Sequence, residues 1–223
     1  MYLKFIKRVL DCLISGFALI VLSPVFVLAA LLILFTMGMP IFFKQERIGK
    51  DGQAFKILKF RSMKSNKKAE MAYDFAYDNS RITMIGRLLR RAKIDELPQI
   101  LNILKGDMSV VGPRPTIRLQ VEAYTPRERE RLSVPPGLTG WAQVNGNTSM
   151  TWAQRIEYDL DYINHISFIR DVKIIAKTVA VVIAGESKFS KKEQIIETKE
   201  NAAVENSVDR LCELKQSSTE CND

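Results

Sequence analysis

The chain has 223 residues, which suffices for one sizeable core with appendages, and 47% of them are hydrophobic. The formal net charge is +8, but residues 1–185 carry +11 and the segment from Glu186 onward carries −3. A basic body favours an anionic partner, such as lipid headgroups or phosphorylated ligands. The three cysteines form no CxxC pattern, so neither a disulfide framework nor a zinc site is indicated. No basic-aromatic interleaving or recognisable module indicates binding to nucleic acid.

An apolar run of 32 residues without a single charge occupies residues 12–43. A membrane span needs about 20 residues, so this run is predicted to lie in a membrane or to form a very buried helix. The pair Ser23-Pro24 interrupts the run, because proline removes a backbone donor and clashes with the preceding turn. The arm before this break is about 11 residues and roughly 16 Å long, which is too short to cross a bilayer.

Basic residues flank the apolar run on both sides. They are Lys4, Lys7 and Arg8 before it and Lys44, Arg47 and Lys50 after it. Because positive charge marks the cytoplasmic side, a re-entrant hairpin that enters and leaves through one face satisfies both ends. A kinked single span is the alternative, since proline is tolerated in membrane helices. The residue pattern supports the two arrangements equally.

The rest of the chain predicts a mostly α fold with one small β-hairpin, an α+β class. The hairpin is expected at residues 41–63, where two stretches rich in β-branched and aromatic residues flank a glycine-containing turn. A mobile loop is expected at 64–80, irregular loops at 110–115 and 135–147, and a disordered tail from 186. Apolar periodicity predicts helices at 82–92, about 96–105, about 117–132, 151–166 and 171–184.

The last predicted helix has a mixed character. Val172, Val179 and other apolar residues alternate with Lys173 and Lys177. Such a pattern is typical of a helix on a membrane surface and equally of a core helix.

Asp95 and Glu96 form the most informative pair of polar residues. Pro98 is tolerated only in the first turn of a helix, so a helix is expected to start at or just before Asp95. The two carboxylates would then lie at a positive helix end beside Arg90 and Lys93, and both effects favour the ionised forms. Ionised carboxylates can act as a nucleophile or as Mg²⁺ ligands. An ordinary helix cap would explain the same residues.

Several other polar residues are candidates for binding or catalysis. The stiff motif Gly112-Pro113-Arg114-Pro115 presents an arginine whose planar guanidinium suits phosphate, although a turn with a solvated arginine is the alternative. Lys59 and Arg61 add cations near the end of the apolar run. His165 is the only histidine, so a His-based triad is not expected. We expect His165 to have a packing or surface role instead.

Taken in order, these pieces resemble the bacterial sugar transferase family. Its members are small monotopic phosphoglycosyl transferases that begin glycan assembly on undecaprenyl phosphate. The similarity covers nearly all of residues 4–184. The matching segments are residues 7–11, the Ser23-Pro24 break, and residues 43–49, 55–63, 94–99, 104–115, 136–144, 158–168 and 171–174.

The resemblance implies an architecture and a location. It implies a re-entrant membrane helix broken at Ser23-Pro24, joined to a compact cytosolic helical domain. We therefore expect a membrane hairpin over residues 1–40, a catalytic domain over 41–185 and a disordered tail over 186–223. The protein would be monotopic, on the cytoplasmic face of the bacterial inner membrane and in contact with its lipids.

The resemblance also implies a mechanism. Asp95 would attack the β-phosphorus of a UDP-sugar, carry the phosphosugar covalently and pass it to undecaprenyl phosphate. Glu96 would help to hold Mg²⁺, while Arg90 and Arg114 would support the phosphate groups. The remaining candidate substrate-binding residues are Lys59, Arg61, Gln143 and Asp159.

One departure and two alternative functions accompany this hypothesis. Pro135 stands where many relatives carry a basic residue, so nucleotide contacts are not assigned to the loop that follows it. A membrane-anchored metal-dependent phosphatase or pyrophosphatase could use the same aspartate, metal and arginine, and would release free sugar phosphate or phosphate. A non-enzymatic basic membrane scaffold would be indifferent to Asp95→Ala. The residue pattern predicts no particular sugar, glycan pathway or oligomeric state.

Overall fold

The computed structural model of the protein describes residues 2–64, 81–146 and 150–184. The predicted tail and, apart from Lys64, the predicted loop at 64–80 lie outside these residues. Within them the protein is mostly helical with two small sheets, which confirms the predicted α+β class. The elements in chain order are α1 (Lys7–Val21), α2 (Ser23–Met37), β1 (Phe42–Ile48), β2 (Ala54–Phe60), α3 (Met84–Arg91), α4 (Gln99–Lys105), β3 (Ser109–Val111), α5 (Arg118–Glu122), α6 (Pro126–Arg129), β4 (Gly137–Thr139), α7 (Trp141–Val144), α8 (Trp152–Asn164) and α9 (Phe168–Ala184).

Helices α1 and α2 meet at an angle of 61°, at the predicted break. In a continuous helix the carbonyl of Ile20 would accept from residue 24, which is a proline and has no N–H. The hydroxyl of Ser23 donates to this carbonyl instead, at 2.7 Å. No single described helix is long and apolar enough to cross a bilayer, whereas the bent pair taken together meets that test of length and composition.

Helix α1 buries polar side chains and exposes apolar ones. Lys7, Asp11 and Ser15 follow one another at intervals of four residues and are all buried against the rest of the protein. On the opposite face, Leu13 and Phe17 are 65% and 70% exposed. This distribution is the reverse of that expected for a helix on the surface of a water-soluble protein.

The buried polar face of α1 is bonded to two other elements of the protein, α9 and β3. Lys7 Nζ lies 2.6 Å from Asp171 Oδ2 on α9, and both side chains are buried. Tyr162 OH donates to the other oxygen of Asp171 at 2.7 Å. One turn along α1, Asp11 Oδ1 accepts from Val110 N at 3.0 Å. The start of α1 is therefore part of the core of the protein.

Strands β1 and β2 form the predicted hairpin around the turn Lys50–Gly52. They pair antiparallel in a register that places Phe43 opposite Lys59. Phe60, at the end of β2, is buried with Ile33 of α2 and Leu89 of α3. The hairpin thus joins the end of the bent helix pair to the helix that precedes Asp95.

Two predictions of local structure are wrong. The helix expected at 117–132 is divided into α5, α6 and the turn Glu130–Ser133, because Thr125 and Glu128 form a capping box that starts a new helix. The loops expected at 110–115 and 135–147 contain β3 and β4, which pair in parallel, and the short helix α7. Glycine permits this pairing, since a Cβ at Gly137 would lie 2.1 Å from Gly112 N.

Replacing Lys7 by methionine is expected to lower the free energy of unfolding by about 3–5 kcal/mol, because Asp171 would stay buried without its cation. The midpoint of thermal unfolding in detergent solution measures this loss. Lys105→Met is the control, since Lys105 is 71% exposed beside Asp107 and such surface pairs contribute about 0–1 kcal/mol. Equal losses in the two variants would contradict the role assigned to Lys7.

Candidate active site

Asp95 and Glu96 lie in a short turn, Ile94–Glu96, between α3 and α4. The helix that was expected to begin near Asp95 begins at Gln99. The predicted start is therefore wrong by about one turn. Pro98 occupies the N-cap position. Lys93 adopts a left-handed conformation, with a φ of 56°, which reverses the chain between α3 and this turn. The carboxylates therefore precede the helix and do not cap it.

Glu96 binds two cations through a single oxygen. Its Oε1 accepts from Lys59 Nζ at 2.7 Å and from Arg114 Nη2 at 2.9 Å. Burial alone would raise the pKa of Glu96, but Arg114 and Lys59 outweigh burial and lower that pKa to about 2. The predicted preference for the ionised form is confirmed for Glu96.

Asp95 is in a different electrostatic environment. Its side chain is buried, with 7% of the residue exposed, and Oδ1 accepts no hydrogen bond from any residue in the described ranges. Burial and then the charge of Glu96 raise the pKa of Asp95, and the pull of Lys59, Arg90 and Lys93 does not cancel them. The prediction that the surroundings favour its ionised form is wrong, because it omitted desolvation.

A cavity of about 570 Å³ opens beside the two carboxylates. Its described lining contains two acidic side chains, Asp95 and Glu96, and nine basic ones. The basic residues are Lys44, Arg47, Lys59, Arg61, Lys64, Arg81, Arg90, Lys93 and Arg114. This volume is in the range of small-molecule sites, and the excess of cations suits a ligand with several negative charges, such as a pyrophosphate.

Arg90 lines the cavity because α3 packs very closely on the end of β2. A Cβ at Gly86 would lie 1.8 Å from the carbonyl oxygen of Ser62, so only glycine permits this approach. One turn further along the same face, Arg90 Nε donates to Ser62 Oγ at 2.8 Å. The guanidinium is thereby anchored on one edge.

Asn102 holds α4 against the strand that carries Lys59. Its side-chain oxygen accepts from Leu58 N at 3.0 Å, and its amide nitrogen donates to Lys56 O at 2.9 Å. The residue is almost fully buried, so both contacts are shielded from water. Asn102 thus keeps the segment containing Glu96 close to Lys59.

A buried ion pair supports the loop that carries Arg114. Arg131 Nη2 lies 2.5 Å from Asp159 Oδ2 and 3.4 Å from the carbonyl oxygen of Arg114. Tyr124 OH, which accepts from Arg131, donates to Thr116 Oγ1 at 3.2 Å. Both neighbours of Pro115 are therefore bonded to one buried cluster, Arg114 through its backbone carbonyl and Thr116 through its hydroxyl.

The structure brings six of the predicted site residues together around the cavity. Of these, Arg61 is turned away in part, since its guanidinium donates to the carbonyls of Met37, Gly38 and Met39 at the end of α2. Two predicted residues lie outside the cavity lining. Asp159 pairs with Arg131, and Gln143 Nε2 donates to Leu138 O at 3.1 Å. The six are Lys59, Arg61, Arg90, Asp95, Glu96 and Arg114.

His165 is at the surface, which is one of the two roles predicted for it. Its ring Nδ1 lies 3.0 Å from Asp161 Oδ1, and two thirds of its side chain is exposed.

The sequence analysis missed several residues that contribute to the site. Lys44 and Arg47 were interpreted only as the basic flank of the apolar run, yet they line the cavity. The hairpin register contains the missing signal for Arg47, because Phe43 lies opposite Lys59 and every second residue from Phe43 onward points to that same face. Arg131 and Asn102 act through distant tertiary contacts, for which the sequence carries no local signal.

The donor atoms of the two carboxylates were predicted to suit a metal ion that shares its coordination shell with a ligand. Within the described ranges, no group of three or more His, Cys, Asp or Glu residues forms a metal cluster. Mg²⁺, however, is usually bound by one or two carboxylates and completes its shell with substrate phosphates and water. The buried, unbonded Oδ1 of Asp95 and the adjacent Glu96 fit this pattern.

Comparison with known proteins identifies the family. A model of the bacterial sugar transferase family matches residues 2–185. The chain belongs to this family and is an enzyme of the sugar transferase class, which confirms the resemblance found in the sequence.

Three relatives show how far the similarity extends. The chain is 39% identical to the uncharacterized sugar transferase EpsL of Bacillus subtilis, over 81% of this chain and 89% of EpsL. It is 40% identical to the UDP-glucose:undecaprenyl-phosphate glucose-1-phosphate transferase of Caulobacter vibrioides, over 82% and 72% of the two chains. It is 41% identical to the UDP-N-acetylgalactosamine-undecaprenyl-phosphate N-acetylgalactosaminephosphotransferase of Aeromonas hydrophila, over 81% of this chain and 44% of that protein.

The two carboxylates are expected to have opposite effects on stability. The pKa of Glu96 is lowered from 4.5 to about 2 in the folded protein, so its contribution is complete above pH 4.5 and is lost as the pH falls through about 2. Glu96→Gln should therefore cost roughly 3 kcal/mol at neutral pH. The pKa of Asp95 is raised, so Asp95→Asn should increase stability at neutral pH.

Acid and neutral unfolding curves of the two variants test this expectation. The difference between the wild type and Glu96→Gln should shrink as the pH is lowered from about 4.5 towards about 2. A destabilised Asp95→Asn variant, or a difference for Glu96→Gln that does not change with pH, would contradict the assigned electrostatics.

Proposed function

We propose that this protein transfers a phosphosugar from a UDP-sugar to undecaprenyl phosphate through a covalent intermediate on Asp95, the first membrane step in assembly of a glycan. The observation that carries the proposal is the buried Oδ1 of Asp95, which has no hydrogen-bond partner in the described ranges and adjoins a cavity rich in cations. The names of the relatives supply the two substrate classes. Since those relatives use glucose and N-acetylgalactosamine at nearly equal identity, the donor sugar is left open.

The reaction has two displacement steps at one phosphorus. In the first, a carboxylate oxygen of Asp95 attacks the β-phosphorus, the bond from this phosphorus to the bridging oxygen breaks, and uridine monophosphate leaves with that oxygen. In the second, a phosphate oxygen of undecaprenyl phosphate attacks the same phosphorus and displaces the carboxylate. The products are the lipid diphosphosugar and free Asp95, so one small site can serve two large substrates in turn.

The neighbours of Asp95 have two different electrostatic roles. Burial and Glu96 raise the pKa of Asp95, which makes its carboxylate a stronger base and a better nucleophile once it is ionised. Lys59 and Arg114 are held by Glu96, and Arg90 is held by Ser62. These fixed cations stabilise the negative charge on the transferring phosphate without having to reorganise.

Glu96 would help to hold Mg²⁺ beside Asp95, together with phosphate oxygens of the substrate. Such an ion would neutralise charge on the pyrophosphate and on the leaving uridine monophosphate.

We further propose that α1 and α2 form a re-entrant hairpin in the cytoplasmic leaflet. Both ends of the helix pair bind the same body of the protein: Arg8 Nη2 donates to Leu104 O at 2.8 Å, and Arg61 Nη1 donates to Met39 O at 2.9 Å. A straight span would separate its ends by about 30 Å across the hydrocarbon core. The apolar outer face of α1, which includes Leu13 and Phe17, would contact lipid.

Asp95→Asn is expected to reduce the transfer of radiolabelled sugar from the UDP donor into a lipid extract by about 10³-fold or more, because the nucleophile is lost. Asp107→Asn, which changes a carboxylate outside the cavity lining, should retain activity. Full activity of the Asp95→Asn variant would rule out the mechanism. Labelled sugar phosphate released to water by the wild type, with no lipid product, would favour the phosphatase alternative.

The re-entrant arrangement predicts that both termini are on the cytoplasmic side. An epitope tag at either end should resist protease in intact spheroplasts and be cleaved in inverted membrane vesicles. Protection of only one of the two tags in spheroplasts would instead support the kinked single span.

A further inference from the structure

Arg61 lies between the end of helix α2 and the cavity. Its guanidinium donates to the carbonyls of Met37, Gly38 and Met39, where α2 ends. The last carbonyls of a helix have no partner within the helix and carry the negative end of its dipole, so an arginine is well suited to cap them. Only 8% of Arg61 is exposed. The residue that was predicted to bind phosphate is thus bonded to the end of the helix pair.

The next residue, Ser62, holds Arg90. Ser62 Oγ accepts from Arg90 Nε at 2.8 Å, and the carbonyl oxygen of Ser62 is the atom against which Gly86 packs. The backbone is fixed as well, because Arg61 N donates to Ile41 O at 2.9 Å. Two consecutive residues therefore bind two different helices, Arg61 the end of α2 and Ser62 one face of α3.

A second contact joins the same two helices. The hydroxyl of Thr83, the N-cap residue of α3, donates to Met37 Sδ at 3.3 Å and accepts from Gly86 N at 2.9 Å. Beside it, Phe60 is buried together with residues of α2 and α3. The position of α3, and with it that of Arg90 in the last turn of this helix, is therefore set where α2 ends.

We propose that Arg61 is a positioning residue that ties the placement of Arg90 in the phosphate site to the end of α2. The guanidinium of Arg61 fixes the chain against the helix end, and Ser62 transmits that fixed position to Arg90. A cation that is placed in advance stabilises a phosphate without reorganising, whereas a cation without support must be ordered by the ligand, which lowers affinity. The inference rests on the role of Arg90 proposed above, but it does not require a covalent intermediate on Asp95.

A double-mutant cycle between Arg61 and Arg90 tests the inference. Binding of radiolabelled UDP in the presence of Mg²⁺ is measured by equilibrium dialysis of the full chain in detergent. Arg90→Gln should weaken UDP binding about 30-fold and Arg61→Gln about fivefold, as expected for lost hydrogen bonds to charged groups. In the double variant the loss should remain about 30-fold and should not reach the product of about 150-fold, because Arg61 acts through Arg90.

Arg8→Gln is the matched control. Arg8 also ties the helix pair to the body of the protein, since it donates to the carbonyls of Ile103 and Leu104 near the end of α4. Within the described ranges it makes no hydrogen bond to Arg90. The effect of Arg8→Gln on UDP binding should therefore multiply with that of Arg90→Gln.

Stability is measured on the same variants. Arg61→Gln should lower the midpoint of thermal unfolding equally with and without Arg90→Gln, because the bonds to the end of α2 are lost in both backgrounds. Arg61→Lys covers the case in which Arg61→Gln does not fold. It keeps the charge but lacks the planar fork that spans three carbonyls, so it should show the same non-additivity with Arg90→Gln in UDP binding.

Three results would overturn the inference. The first is an effect of the Arg61 variants that multiplies with that of Arg90→Gln, which would assign Arg61 a direct contact with phosphate or a general effect on the fold. The second is a UDP affinity that neither Arg61 variant changes, and the third is no UDP binding by the wild type. Because UDP binding needs no turnover, a wild type that binds UDP but forms no lipid product would contradict the proposed function alone.

Discussion

The site depends on placing two adjacent carboxylates in the same poorly hydrated pocket. Such a pair is tolerated because Lys59 and Arg114 converge on one oxygen of Glu96, so that Asp95 alone bears the cost of burial. Most of the unusual packing nearby serves this arrangement. Asn102 fixes the distance from the carboxylates to Lys59, and the cluster around Arg131 supports the loop of Arg114. An aspartate kept desolvated in this way lowers the stability of the fold, a cost that fits the reactive role proposed for it.

Helix α1 shows a comparable separation, between a polar face and an apolar face. The polar face of α1 is turned inward, where Lys7 and Asp11 complete networks in the core, and its apolar face is turned outward. A water-soluble protein gains stability from the opposite arrangement. The bend at Ser23-Pro24 then lets both ends of the apolar segment bind one body of the protein, which fits the re-entrant hairpin proposed for it.

Much of the architecture was predictable because its signals are local. The uncharged run, the Ser-Pro break, the hairpin turn at residues 49–52 and the carboxylate pair are each contained in a few consecutive residues. The predictions that were wrong concerned segments whose local sequence pattern is overridden by contacts with distant residues. Asp95 satisfies the pattern of a helix cap, but the chain reverses at Lys93 and buries it. Gly112 and Gly137 lie in segments with the composition of irregular loops. Because neither glycine has a side chain, β3 and β4 can approach closely enough to pair.

Residue order was therefore sufficient to specify the family, the broken apolar helix and the identity of the acidic pair. Tertiary contacts alone decided which cations meet Glu96, that Asp159 supports a loop and lies outside the cavity, and that the outer face of α9 is uncovered. The physical reason is one of range. Proline, glycine and apolar periodicity act over a few residues, whereas desolvation and ion pairing depend on groups that folding brings together from 18 to 164 positions apart.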